Sequence, residues 1–284
     1  MLYRDYLKLS ALLLVIPCAA ASAAQLAVVD TVQAPAWVVR GGKVLPLAPG
    51  MEIVNSDHIN TGANARAYIR LTEGSVVKLG ANTKFTFYSR SQRPSVNYRA
   101  ALDIAEGAFR YTTSALGKLR KRDLSVRVGT STIGIRGTDI WGRSNLDEDM
   151  AVLIEGKVEI SRGAESVMLS DPMTQYRAPK NGEMAPLAQI DSLSLAMLAR
   201  ETEIQSGDGA SKARGDWDVV LGTVTTQDAA LAMYDQARKA GFAAKIKVKK
   251  QSGAYVYSVL LPGAVSQDDA LSLAERLKVE LAAR

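Results

Sequence analysis

Few side chains in this sequence have the types and spacing that covalent chemistry needs. One cysteine, Cys18, and one histidine, His58, allow no intramolecular disulfide and no zinc cage of cysteine and histidine. Ser75-Val76-Val77-Lys78 has the Ser-x-x-Lys spacing of an acylating serine and its lysine, but that pairing works on a helix, where lysine returns one turn after serine. The residues around it alternate as in a strand, so positions three apart face opposite ways. The companion Ser-Asp-Asn is absent and Lys180-Asn181-Gly182 is a loose echo of Lys-Thr-Gly, so the match reads as chance. Gly129 to Thr138 has the glycines of a phosphate loop without its lysine, and reads instead as glycines at strand bends or close backbone approaches. Arg136 and Asp139, at its end, are expected to pair. His58 beside Asp57 reads as an exposed loop residue, not a base. Asp147-Glu148-Asp149 lacks the spaced oxygen ligands of a calcium loop and reads as a solvated hairpin tip. The expectation is no enzyme, no catalytic residues, no metal and no cofactor.

Binding is the remaining class. The 284 residues, 47% hydrophobic and 23% charged, have globular composition, and the length suits two domains of about 150 residues. The net charge of +6 is a mild basic excess that suits an anionic polymer or membrane surface without naming one. Basic stretches at Arg90-Ser91-Gln92-Arg93-Pro94 and Lys118-Leu119-Arg120-Lys121-Arg122 read as solvated loops. No aromatic ladder accompanies them to suggest nucleic acid.

The N-terminus carries an address. Arg4 and Lys8 precede the apolar run Ala11 to Ile16, then the small residues Cys18 to Ala24, the layout of a cleavable export signal with its cut near Ala23 or Ala24. A run broken at Pro17 has about half the ~20 apolar residues a membrane helix needs, so the mature chain is expected to have no stable transmembrane segment. Val15-Ile16-Pro17 before Cys18 argues against a lipid-modified cysteine. Removing residues 1–24 takes two basic residues and one acidic, leaving +5 and no thiol in an oxidising compartment. The expected location is the periplasm.

From residue 26 to about 180 the chain alternates apolar and polar residues in short glycine-punctuated segments. Ala67 to Leu71 and Ser75 to Leu79 flank Glu73-Gly74, a hairpin signal. Lys84 to Tyr88, Ser125 to Val128, Ala151 to Ile154 and Lys157 to Ile160 continue the pattern, the last two flanking a second turn at Glu155-Gly156. An all-β domain follows.

Asp57 to Ala65, Glu73-Gly74-Ser75, Glu106-Gly107-Ala108-Phe109, Val128 to Thr138 and Leu153-Ile154-Glu155-Gly156-Lys157-Val158 together resemble, in order, the landmarks of the FecR-type domain, with its core over residues 38–165. The resemblance implies an all-β roll- or solenoid-like domain of bacterial periplasms, in some members a regulator of iron-siderophore signalling. It does not imply an enzyme. Signalling members place a cytoplasmic anti-sigma segment and a membrane helix before the domain. Here ten residues precede the apolar run, so the expectation is a binding or scaffolding module with an envelope protein as partner.

Residues 186–204 predict a helix with Ile190, Leu193, Leu195, Met197 and Leu198 at helical spacing, packed on the first domain. Residues 205–216 are small, polar and glycine-rich, and read as a flexible tether between independent halves.

Residues 217–284 hold a tandem repeat. Trp217 to Val224 recurs forty residues later as Tyr257 to Ala264, and Thr226-Gln227-Asp228-Ala229-Ala230-Leu231 as Ser266-Gln267-Asp268-Asp269-Ala270-Leu271. Thr226 and Ser266 are predicted N-caps and Gly241 a C-cap, giving the order βαββα with both helices on one face of the sheet, the α+β ferredoxin-like arrangement. Alternation puts Trp217, Val219, Leu221, Val259 and Leu261 under the helices, and Asp218, Val220, Lys245, Lys247, Lys249, Ser258 and Leu260 on the open face.

Trp217, Val219, Leu221, Gly222, Ala230, Gly241, Tyr257, Val259, Leu261 and Ala270 resemble the pattern of the SPOR (sporulation-related repeat) domain. Val220 stands where the pattern has glutamine, Val224 and Ala264 where it has phenylalanine, and Pro262-Gly263 inverts its Gly-Pro. The resemblance implies binding to peptidoglycan glycan strands, especially those stripped of stem peptides at cell-division sites. On the open face lysines would meet sugar hydroxyls and N-acetyl carbonyls, and Val220 and Leu260 the apolar sugar faces. RNA is a competing ligand for a sheet backed by two helices, and export excludes it. An envelope signalling accessory acting through the FecR-type domain is the alternative function.

Overall fold

The structure, a computed structural model, describes residues 26–89, 98–114, 122–251 and 253–283. The export signal with Cys18, and the basic stretches 90–94 and 118–121, lie outside the described residues. In chain order the strands begin β1 (Ala27–Gln33), β2 (Ala36–Arg40), β3 (Lys43–Pro46), β4 (Glu52–Ile53), β5 (His58–Thr61), β6 (Arg66–Leu71) and β7 (Val76–Leu79). They continue as β8 (Lys84–Ser89), β9 (Tyr98–Thr112), β10 (Arg122–Val128), β11 (Ser131–Ile135), β12 (Asp139–Ser144) and β13 (Glu148–Glu155). Then come β14 (Val158–Arg162), β15 (Glu165–Leu169), β16 (Thr174–Pro179), β17 (Ala188–Gln189), helix α1 (Ser192–Arg200) and β18 (Ala210–Lys212). The C-terminal unit is β19 (Trp217–Val224), α2 (Gln227–Lys239), β20 (Lys245–Gln251), β21 (Ala254–Ala264) and α3 (Gln267–Ala282).

Strands β1 to β17 build two sheets around one apolar core. The first runs β17–β16–β13–β12–β9–β7–β6–β1. The second runs β3–β2–β5–β8–β9–β10–β11–β14–β15, and among the described residues only β9 and β10 are parallel neighbours. Side chains from both inner faces, among them Phe85, Phe87, Phe109, Tyr111 and Tyr176, fill the core. Each such side chain leaving water contributes roughly 1.5–3 kcal/mol. Strand β9 belongs to both sheets and turns the corner at Gly107, where φ is +97° and a Cβ would collide with Thr83. Only glycine accepts that combination.

The expected strands are all present, and Glu73-Gly74 closes the β6–β7 hairpin as read. Glu155-Gly156 does not close one. Strand β13 pairs with β12 and β16 in the first sheet, and β14 with β11 and β15 in the second, so this turn carries the chain between sheets. The buried alternation of both strands is the same for a hairpin and for a corner.

Helix α1 is shorter than its predicted span and is capped by Asp191, whose side chain accepts from the Ser194 N–H. Leu195 and Leu198, with Ile190 just before the helix, pack over Trp141, Met150 and Val152 on the outer face of the first sheet, while Leu193 and Met197 are exposed.

Residues 205–216 are not a tether. Within them β18 pairs antiparallel with β1, Val32 opposite Ser211, and Ser211 also lies opposite Ala264 of β21. The first sheet therefore continues into the C-terminal sheet. Asp269 accepts from the Gly209 and Ala210 N–H groups at 3.1 and 3.0 Å, and the Arg276 guanidinium donates to the Asn64 carbonyl oxygen. Small residues suit a close backbone approach as well as a loose chain, which is why composition misled.

The C-terminal unit has the predicted βαββα order, with β21 central between β19 and β20, all antiparallel. Thr226 and Ser266 cap α2 and α3. Both helices pack on one sheet face, over Val219, Leu221, Val259 and Leu261.

Candidate functional site

Several charged residues of the β domain are committed to one another. Arg110 forms a fork on Asp139 at 2.9 and 2.7 Å and reaches Glu203 at 3.0 Å, so Asp139 pairs with Arg110 and not with Arg136. Glu203 also accepts from Lys78 at 2.6 and 2.7 Å and from the Tyr68 hydroxyl at 3.1 Å. Burial alone would raise the Glu203 carboxyl, but the bonds and charge of Lys78, with Tyr68 and Arg110, hold it below the usual carboxylate range. Burial pushes the Tyr68 hydroxyl well above its ordinary value. This cluster clamps the segment after α1 onto the first sheet. Lys78 is thereby spent, and Ser75 is buried beside the Glu73 carboxylate, which accepts from the Ser75 N–H at 2.7 Å, so Ser75 and Lys78 form no acylating pair.

Asp149 is fully buried, not solvated. It accepts from Lys180, from the Ser144 hydroxyl at 2.8 Å, and from the Thr130 N–H and hydroxyl at 2.8 and 2.7 Å. Burial opposes its charge, and these donors still bring its pKa below the ordinary value. Alternation along β13 turns Asp149 inward, between the Glu148 and Met150 positions. Asp57 is buried under the Arg40 guanidinium at 2.6 and 2.8 Å, while neighbouring His58 is exposed on β5 rather than in a loop and contacts the Thr86 hydroxyl at 2.8 Å. Among the described residues no group of three or more His, Cys, Asp and Glu side chains is placed to hold a metal, and no helix is long and apolar enough to cross a membrane.

The outer face of the C-terminal sheet is different. Register across the three strands places Val220, Leu260 and Lys245 in one row, and Thr223, Ser258 and Lys247 in the next. Lys249 lies farther along, opposite Val256. The structure thus brings all seven predicted residues to one face, Asp218 joining through its 2.6 Å ion pair with Lys247. Lys245 and Lys249 are exposed and have no ion-pair partner among the described residues. Val220 is 59% exposed, and Ser258 shares a 3.2 Å hydrogen bond with Thr223.

Three placements depart from simple alternation. Leu260 is on this face but only 2% exposed, where it lines a cleft of about 320 Å³ with Ala48, Pro49 and Ala213. Trp217, expected under the helices, is 44% exposed, because a register shift separates it from Val219 at the start of the strand. Thr223 was not predicted to face out. The shift between Val220 and Gly222 reverses the phase of the strand, and a glycine inside a strand is the sequence signal for such a bulge.

A face of this kind is a shallow polar platform with an apolar patch and two free cations. It suits a hydroxyl-rich, anionic, extended ligand better than a small molecule, which asks for enclosure.

Comparison with known proteins agrees with this division. The family described as FecR protein matches residues 57–159, and the SPOR domain family matches residues 213–283. No curated protein matches. Two crystal structures of a candidate anti-sigma factor from Parabacteroides distasonis ATCC 8503, at 2.50 and 1.65 Å resolution, are similar at 13% identity, with TM-scores of 0.41 and 0.38. Each aligns over 70% of this chain, and over 96% and 97% of its own length.

Proposed function

From a chain that carries a FecR domain and a SPOR domain, we propose a periplasmic, non-enzymatic protein that holds peptidoglycan glycan strands on the outer face of its C-terminal sheet and presents its β domain to an envelope partner. The observation that carries the reading is the pair of lysines, Lys245 and Lys249, which have no ion-pair partner among the described residues and share with exposed Val220 the sheet face that the helices leave open. Removing a stem peptide from a muramyl residue exposes its lactyl carboxylate. A stripped strand is therefore a polyanion with sugar hydroxyls and apolar ring faces, and each of these has a counterpart on this surface.

Because β18 ties the two halves together, the test uses the whole mature chain. Wild-type protein and the double variant Lys245→Glu, Lys249→Glu are mixed with purified sacculi before and after amidase treatment. Retention of the wild type that rises with amidase treatment and is lost in the variant supports the reading. No retention of the wild type on either preparation refutes it.

The FecR match supports a second role, envelope signalling through the β domain. Crosslinking in cells is its test: a crosslinked partner unchanged by substitutions on the outer face of the β8–β9–β10 sheet region, around Arg99 and Arg127, counts against that face as the contact.

A further inference from the structure

The glycan platform is not open at both ends. Toward the β20–β21 turn the face runs out to solvent past Lys249, whereas at Lys245 and Leu260 it meets the other domain. There Ala48 and Pro49, following β3, and Ala213, following β18, stand up beside the sheet, and Gly50 approaches Ala213 closely enough that a Cβ would lie 3.3 Å away. The result is the cleft of about 320 Å³ with Leu260 in its lining and Lys245 and Lys247 also bordering it. That volume is at the lower end of small-ligand pockets, which run from about 300 Å³ upward. Leu260 is buried at the floor of the cleft at 2% exposure, so the apolar surface open to a sugar ring's C–H face comes from Ala48, Pro49 and Ala213.

We infer that this cleft is an end-seat: a stripped glycan strand lying along the lysine row terminates in it, with its last sugar against Ala48, Pro49 and Ala213, the Lys245 ammonium beside it, and the β domain as the stop. The inference rests on the peptidoglycan reading and adds to it that both domains build the site and that strand ends are selected over strand interiors. An interior segment would have to pass through Ala48, Pro49 and Ala213.

Stoichiometry tests it. Amidase-stripped strands are separated into a short and a long size fraction, and the mass of the complex with the full mature chain is measured by sedimentation at saturation. One protein per strand in both fractions is the expected result. Protein bound in proportion to strand length overturns the end-seat while leaving the peptidoglycan reading intact, and no binding by the wild type to either fraction removes both. Two variants that fill the cleft from that side, Ala48→Arg and Ala213→Arg, are each expected to weaken binding of the short fraction by about tenfold. Unchanged affinity in both variants, with wild-type circular dichroism, also overturns the end-seat.

Discussion

Gly241 packs against the indole of Trp37: a Cβ on the glycine would stand 2.6 Å from Cζ2 of the ring. The Trp37 Nε1–H points to the Lys239 carbonyl oxygen at 3.4 Å, and the Ala36 N–H donates to the Gly241 carbonyl oxygen at 3.2 Å. Gly241 holds φ at +88°, so it ends α2 and also lets the β domain reach the helix. Gly241→Ala is expected to cost about 1–3 kcal/mol, from a strained backbone and a clash at the contact between the halves. Urea unfolding followed separately by tryptophan fluorescence and circular dichroism checks it. The wild type should give one coincident transition, and the variant a lower midpoint with the two probes drawn apart.

The run Asp147-Glu148-Asp149 offers an internal comparison. Asp149→Ala removes a fully buried carboxylate and leaves Lys180, Ser144 and Thr130 without their acceptor, at an expected cost of about 2–4 kcal/mol. Asp147→Ala, two residues away at the exposed tip, should change stability by no more than about 0.5 kcal/mol. Equal effects in thermal or urea unfolding would mean that the cluster around Asp149 is not formed.

These two sites mark what the sequence could and could not disclose. Strand alternation, the Glu73-Gly74 hairpin, the helix caps at Thr226 and Ser266 and the outward set on the C-terminal sheet are local properties, written within a few residues of where they act. The Gly241 cap was legible for the same reason. Its contact with Trp37 was not, since the two are some two hundred residues apart and nothing near either one names the other. Asp149 was misread because an acid at a turn is usually wet, and its partner Lys180 lies in the turn after β16, some thirty residues away. Residues 205–216 were misread because glycine serves flexibility and close approach alike: Gly209 packs against the Leu273 backbone, where a Cβ would come within 3.1 Å, and Gly215 against Gly263.

Acid should loosen the clamp behind α1. The Glu203 pKa is lower in the folded protein than the ordinary 4.5, so its contribution to stability is complete above that value and disappears as pH falls through the folded pKa. Glu201 acts in the opposite sense. Burial, only partly offset by Arg143, raises its pKa, so its charged form is disfavoured on folding and costs stability as pH rises past 4.5. Glu203→Gln is therefore expected to destabilise the chain by about 1–3 kcal/mol near neutral pH, and the difference from wild type should close as pH falls through the lowered folded pKa of Glu203. Urea midpoints for both proteins across that range check it, and a gap that persists at low pH would show that Glu203 acts through packing and not charge.

The ion pair between Asp218 and Lys247 gives the sharpest test of what the platform recognises. At 2.6 Å the carboxylate neutralises one of the three lysines in the row and fixes its position. If the ligand's lactyl carboxylates set the affinity, Asp218→Asn frees that cation and removes a repulsive charge, so binding of stripped strands should tighten about two- to tenfold at low salt. The gain should fade as ionic strength rises and the Debye length falls below about 10 Å. Lys247→Ala is the matched control and should weaken binding over the same salt range. Titration of amidase-stripped strands at two salt concentrations reads both. Weaker binding by Asp218→Asn would mean that the aspartate itself accepts from sugar hydroxyls, and the lysine row would then be a positioning device for Asp218 instead of the anion reader.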